Sequence, residues 1–421
     1  MKAENATVDQ SKLKKQPGLV VTSFLLFSYC VSVIVFSYRD GFTAYAKMLG
    51  AVLVFYYILM LVKRKHPLPP PLEYRAFFLW FLWATLASLL ASNIDLSWDR
   101  LLTIVQVVVV SFCIYSLIVW QTTAFSFWTS FTLAVMISSA VTLHDPGAYV
   151  GTDGRIAGTV GNANLFSVVL NVALAVTLVN SAKSRTLILR AIFLGIAAFL
   201  FYMIAETGSR KGMIGSILVL MIVSALLAAN IRRKSAAQFV GAVLISLLLL
   251  IGAGTFLATS QHANRLEGLV VAAETGDPSK GDNSLGVRAA LAKSAFNEAV
   301  RHPILGIGLA NFRDLQIGLL EKTGTYSHSN YLEILVSTGI PGLLLYTSIY
   351  FILLYKLYTL RECVYHDHLV GPFAICSALI LMIMAFDFAM VSYYDKSQWL
   401  LLSGVIAQIE LLRRKLYVIP A

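Results

Sequence analysis

Twelve separate apolar runs, most of them close to the length of a membrane-spanning helix, constrain this chain more than any other feature. They lie at about 18–36, 44–62, 76–94, 101–120, 124–143, 165–179, 187–205, 212–229, 239–257, 334–355, 373–391 and 399–412. A helix rising 1.5 Å per residue needs roughly 20 apolar residues to cross the hydrocarbon of a bilayer. Twelve such segments use more than half of the 421 residues. The chain therefore reads as an all-α polytopic membrane protein of about 12 transmembrane helices, a single membrane domain over 1–421. One large loop, 258–327, is inserted between helices nine and ten. Composition agrees: 58% of the residues are hydrophobic and 13% are charged, against about 25% charged in an ordinary soluble domain. A water-soluble enzyme is excluded.

The formal charge of +11 invites a nucleic-acid reading, but the basic residues are placed to set membrane orientation. Counting the four lysines before the first run as inside and alternating from there, the inner set holds Lys63, Arg64, Lys65 and Arg75, then Lys183, Arg185 and Arg190, then Arg232, Arg233 and Lys234, then Lys356 and Arg361, and last Arg413, Arg414 and Lys415. The inner set reaches 19 of the 33 Lys and Arg residues, against 7 in the short outer loops. That asymmetry places both termini in the cytoplasm by the positive-inside rule; the long loop is exempt because long segments cross whatever their charge. The first run lacks a small-residue cleavage site and reads as a retained span. Cys30, Cys113 and Cys376 fall in spans and Cys363 in an inner loop, so no disulfide framework is implied. CxxC, HExxH and phosphate-loop motifs are absent, and neither a metal nor a cofactor is expected.

Polar groups cost free energy at membrane depth unless partnered, so the polar clusters carry the information, and four gather on the outer side. Gly151–Asn164, reading GTDGRIAGTVGNAN, offers Arg155, Asn162 and Asn164 at the start of the sixth span, where helix-terminal N–H groups favour an anion; a flexible turn with capping asparagines is the plain alternative. Glu206–Gly212 puts Arg210 at the head of span eight, as a phosphate fork or as the partner of Glu206. Ser284–Val300 carries Leu285, Ala289, Ala292, Phe296 and Ala299 at helical spacing. It is expected as an amphipathic helix stopped at Pro303, lying on the membrane with Arg288, Lys293 and Arg301 on its polar side. Tyr326–Glu333 places His328 at a helix entrance among hydroxyl, amide and carboxylate neighbours. An unperturbed imidazole there can take a proton at neutral pH, or cap the helix. His262, His302 and His144 are weaker candidates. Asp387, in span eleven, calls for a partner, with an arginine from another loop the natural choice.

An enzyme facing outward has no nucleotide pool and must use a substrate that is already activated, such as a sugar on a polyprenyl diphosphate. Several arginines for the diphosphate and one histidine for a proton suit glycosyl transfer without a metal, while the paired carboxylates of a glycosidase are missing.

GRIAGTVGNAN, GSRKG, the stretch from Arg288 through HPILGIGLANF, and HSNYLEILVSTGIPGLLLY together resemble successive motifs of the O-antigen ligase and polymerase superfamily. The likeness covers about 151–346. It implies a GT-C-like fold in the bacterial inner membrane, a periplasmic active site, and transfer of O-antigen polysaccharide from undecaprenyl diphosphate to a sugar of the lipid A core. It also implies that Arg210 and Arg288 bind the donor diphosphate, that Arg155 assists, and that His328 deprotonates the acceptor hydroxyl in one inverting displacement. Asn162, Asn164 and Asn330 are the further substrate-binding candidates. Members commonly carry Asn directly after the histidine; here Ser329 intervenes before Asn330. Within the superfamily an O-antigen polymerase or a protein O-oligosaccharyltransferase shares these motifs. A lipid-linked sugar flippase is the non-enzymatic alternative, although charged midplane segments and an internal repeat are not evident.

Overall fold

In a computed structural model the chain is described over residues 18–38, 42–64, 67–121, 124–151, 154–232, 283–315 and 326–416. The expected ninth span at 239–257, His262 and the larger part of the 258–327 loop lie outside the described residues. Every regular element among the described residues is helical. They are α1 (Leu19–Val31, continued by a wide turn over Ser32–Phe36), α2 (Thr43–Arg64), α3 (Leu72–Leu89), α4 (Ile94–Trp120), α5 (Phe125–His144), α6 (Ala163–Lys183), α7 (Leu187–Glu206) and α8 (Arg210–Arg232). After the gap come α9 (Asn283–Arg301), the single turn α10 (Phe312–Leu315), α11 (Asn330–Thr359), α12 (Asp367–Asp387) and α13 (Lys396–Leu416).

Nine of the described helices are long and apolar enough to cross a membrane, bearing out an all-α polytopic fold. The runs near 76–94 and 399–412 form α3 and α13, which fall short of that hydropathy. Glu73 and Arg75 dilute the first, and Lys396, Glu410 and Arg413–Lys415 the second. α13 is nevertheless buried along nearly its whole length, against α4 and α12. α6 and α12 form the centre with it, whereas α2 and α7 expose most of their surface at the periphery. Side chains that a water-soluble protein would bury, such as Phe55, Ile58 and Leu59 on α2, are exposed there, as expected where lipid is the solvent.

The loops sort into two ends. At one, Glu73 pairs with Lys356 at 2.8 Å and Asn230 donates to the Val364 carbonyl, in the company of the basic residues counted as inner. At the other, Tyr38 donates to Asp395 at 2.7 Å, Ser92 to Asn311, and Arg100 to Tyr326 at 2.7 Å. The second end carries all four polar clusters.

A single break shapes that end. α11 is expected as one continuous span from 334, yet Gly339 departs from helix with φ 69° and ψ −174°, a region essentially confined to glycine, and Pro341 follows. The backbone groups released there are taken up by the loop after α9: Ile340 N–H donates to the Pro303 carbonyl at 2.8 Å, Ile307 N–H to Val336 at 3.0 Å and Gly308 N–H to Ser337 at 2.9 Å. A Cβ on Gly339 would collide with the Ile304 backbone. The stretch PILGIGLANF is thus the strap that closes the break, and its Asn311, fully buried, clamps it to Asn93 and Ser97 at the start of α4.

Candidate functional site

α9 is helical as its periodicity predicts, but it faces differently. Leu291, Ala295 and Ala299 are buried against Phe312 and Val336, whereas Phe296 is 56% exposed and Val300 63%. The inward stripe runs 291, 295, 299, and Arg288, three residues before Leu291, falls on it. Arg288 therefore shares the protein-facing side of α9, not the polar side with Lys293 and Arg301. That register brings it to Lys211 and His328.

Three elements meet at this point. Arg155 comes from the glycine-rich loop, Arg210 and Lys211 from the head of α8, and Arg288 from α9; all three arginines lie within electrostatic reach of Lys211. His328 in turn lies within reach of Arg288 and Lys211. Arg155, Arg210, Lys211, Arg288 and His328 are each half-buried. Glu206 hydrogen-bonds Tyr202, one turn earlier on α7. Lys211 is the cation that sequence reasoning did not single out, though it adjoins Arg210.

The loops behind these cations are fixed by short hydrogen bonds. Thr159 donates to the Ile34 carbonyl at 2.7 Å, using an acceptor released where α1 widens. Ser209 donates to the Asn164 side chain at 2.9 Å and accepts from the Gly212 N–H at 3.1 Å, tying the first motif to the second. The Asn162 side chain accepts from the Asn164 and Leu165 N–H groups as the cap of α6, the plain reading weighed for it. Asn164 likewise spends its carbonyl oxygen on Ser209.

His328 sits at φ 60°, a left-handed conformation uncommon outside glycine that costs of order 1–3 kcal/mol and persists only where surroundings enforce it. Here they do. The buried Glu333 carboxylate accepts from the Ser327 N–H at 3.0 Å, Ser327 donates to the Ser329 carbonyl at 2.9 Å, and Ser329 caps α11. Behind the turn, Asn330 uses its full capacity of two donors and two acceptor positions. It donates to Tyr346 at 3.1 Å and Asp387 at 3.0 Å, and accepts from the Ser392 and Tyr393 N–H groups, both at 3.0 Å. Fully buried and fully engaged, Asn330 corrects the expectation of direct substrate contact: it frames the histidine turn.

Asp387 is a second correction. Its carboxylate is held by neutral donors, Asn330, Tyr350 at 2.6 Å and Ser392, and not by an arginine. It closes the frame that joins the start of α11 to the loop after α12. On the far side of that loop Arg100 lies 3.5 Å from the centroid of the Tyr394 ring, a stacking that nothing in the sequence indicated.

Burial, then the positive charge of Arg288 and of Lys211, push the His328 imidazole down to about 4. Charging it would add a third cation in a desolvated space. At neutral pH the ring is neutral and its lone pair is available; neither nitrogen hydrogen-bonds a described residue. Among the described residues no group of three or more His, Cys, Asp and Glu side chains is placed to hold a metal ion. The site's assets are an unprotonated base and a set of adjacent cations.

Residues 195–347 match the family model described as O-antigen ligase, which supports assignment to the O-antigen ligase and polymerase superfamily. The match takes in Arg210, Lys211, Arg288, His328 and Asn330, and begins after Arg155, Asn162 and Asn164. No curated protein matches the chain.

Proposed function

We propose that this chain, carrying an O-antigen ligase domain over 195–347, transfers O-antigen polysaccharide from undecaprenyl diphosphate to a sugar of the lipid A core, at the periplasmic face of the bacterial inner membrane. The observation that carries the reading is the neutral His328 beside Arg288 and Lys211. Acyl or phosphoryl chemistry would call for a nucleophile or a metal; an isolated base next to cations matches deprotonation of a hydroxyl opposite an anionic leaving group.

In this mechanism a His328 ring nitrogen accepts the acceptor hydroxyl proton while that oxygen attacks the donor anomeric carbon. The bond from that carbon to the diphosphate oxygen breaks, and Arg210, Lys211 and Arg288 take the charge that develops on the departing undecaprenyl diphosphate; Arg155 assists. One displacement inverts the anomeric centre. The diphosphate also tunes the base: as it binds, its negative charge offsets Arg288 and Lys211 and raises the proton affinity of His328. The base thus becomes competent when the donor is in place.

The test is transfer in liposomes with purified protein, undecaprenyl-diphosphate-linked polysaccharide and lipid A core, with EDTA present. Transfer that survives EDTA, inverts the anomeric configuration and falls by 10²–10⁴ in a folded His328→Ala variant is the expected result. Elongation of the donor polysaccharide with no product on the lipid A core assigns a polymerase instead. A retained configuration overturns the single displacement.

A further inference from the structure

A cavity of about 430 Å³ lies between α1, α2 and α4, away from His328 and lined by Tyr29, Gly50, Ala51, Val54, Gln106 and Val110, with Lys47 and Lys396 at its rim. Its outer wall belongs to the part of the bundle that faces lipid: Met48, Val52 and Phe55 on α2 and Val105 and Val109 on α4 are all exposed. Its floor is low because Gly50 and Ala51 carry little or no side chain; a Cβ on Gly50 would already stand 3.2 Å from Val110.

Two features make this more than a gap between helices. Lys47 and Lys396 are charge neighbours, and neither forms an ion pair with a described residue. Asp395, whose charge acts on Lys396, accepts from Tyr38, from the Ser397 N–H at 2.8 Å and from the Gln398 N–H at 3.1 Å. Gln106, well inside α4, is exposed to the cleft and makes no hydrogen bond to the described residues. An amide without a partner beside lipid chains is costly. Because Gly50 meets Val110, Gln106 stands level with Ala46 and Lys47, one turn earlier on each helix. The stacked rings of Phe42 and Tyr45, 5.4 Å apart, lie just above, where aromatic side chains mark the headgroup level.

We propose that this cleft is a binding site for an anionic glycerophospholipid. The phosphate lies between Lys47 and Lys396, the Gln106 amide donates to an ester carbonyl, and one acyl chain runs down over Gly50, Ala51 and Val54. At about 30 Å³ for each water-sized group the cavity takes on the order of 14 methylenes, one chain and not several. A soluble protein partner would leave the apolar wall facing lipid, and a zwitterionic headgroup would bring an ammonium to two lysines.

Native mass spectrometry of the full chain in detergent, with phosphatidylglycerol or phosphatidylcholine added, tests this. One retained phosphatidylglycerol is expected. A juxtamembrane lysine is worth about 1 kcal/mol towards an anionic lipid, about fivefold, so Lys47→Gln with Lys396→Gln weakens retention by about 25-fold. Ala51→Phe, which fills the cleft without altering charge, abolishes it, and Lys63→Gln at the opposite end leaves it unchanged. Unchanged melting temperature and elution volume exclude misfolding as the cause. Equal retention by the double lysine variant, equal retention of phosphatidylcholine, or preference for a polyprenyl phosphate over phosphatidylglycerol overturns the proposal.

Discussion

The state of His328 is the sharpest point at which the site's physics can be measured. Its imidazole is held at about 4 by burial first, Arg288 second and Lys211 third, against an ordinary value of 6.5. All three push the same way, so the smallest contributes no more than a third of the drop. Lys211→Met should therefore raise the midpoint by no more than ~0.8 pH units, and Arg288→Met, acting on the larger charge, by no more than ~1.3. Diethyl pyrocarbonate modifies only the neutral imidazole, and peptide mass spectrometry isolates the His328 rate from the other histidines. In the native chain the rate should stay flat from pH 7 to about pH 5 and halve near pH 4. Both variants should halve at higher pH, and saturating inorganic pyrophosphate should move the native midpoint the same way. Stability follows the same sign. Between pH 6.5 and 4 the unfolded chain binds more protons than the folded one, so this group's contribution falls as pH drops through that window. A native midpoint at 6.5, or variants that lower it, would refute the picture of a base buried among cations.

Three further outcomes follow from the frame. Gly339→Ala forces a Cβ onto the Ile304 backbone at a φ only glycine tolerates, and should cost about 1–3 kcal/mol or more, seen as a lower thermal midpoint in detergent; an unchanged midpoint would mean that the strap does not hold the break. Asn330→Ala removes four hydrogen bonds, one of the three donors to the buried Asp387 among them, so a loss of about 2–5 kcal/mol is expected, with a transfer defect that Asn330→Asp does not repair because it brings a second carboxylate against the first. Glu333→Gln keeps an acceptor for the Ser327 N–H and should preserve the left-handed turn, whereas Glu333→Ala should lower kcat at least tenfold with little change in KM for the donor; equal behaviour of the two would show that Glu333 acts by charge alone.

Helix positions were legible because a bilayer imposes one length on every crossing, and that constraint is local to about 20 residues. The face of α9 was not, for a physical reason: Phe296 outweighs Ala295 in any hydrophobic count, yet the narrow seam against Val336 admits the alanine and leaves the phenylalanine exposed. The small residues Ala295 and Ala299 mark the seam with Leu291, and Arg288 falls on it. The break in α11 is written in Gly339 and Pro341, but the apolar run on either side of Ser337–Gly342 has the length of one continuous crossing and hides it. Asn330, Tyr350, Asp387 and Ser392 are up to 62 positions apart in the chain and meet only through the packing of α11 on α12, so no spacing rule could pair them. The expectation of an arginine for Asp387 rested on charge alone, whereas three neutral donors satisfy a buried carboxylate without burying a second ion.

The division between what was legible and what was not matches a division of labour in the site. The cations and His328 stand in short polar motifs that break the apolar pattern, and such residues declare themselves against a background that is 58% hydrophobic. The residues that fix His328 in a left-handed turn are buried, and the frame behind them, Asn330, Tyr350, Asp387 and Ser392, is dispersed along the chain. A cation variant should then change the site's charge while leaving the turn intact, and be read in donor affinity, in weaker leaving-group stabilisation and in the His328 midpoint, with thermal stability unchanged. A frame variant should leave the cations in place and release the turn, and be read in kcat and thermal stability. Arg210→Gln combined with Glu333→Ala tests the separation, because additive losses, within about 0.5 kcal/mol, are expected of groups that act through different steps. Strong coupling between them would mean that Arg210 helps to hold the histidine turn and that charge and frame are one device.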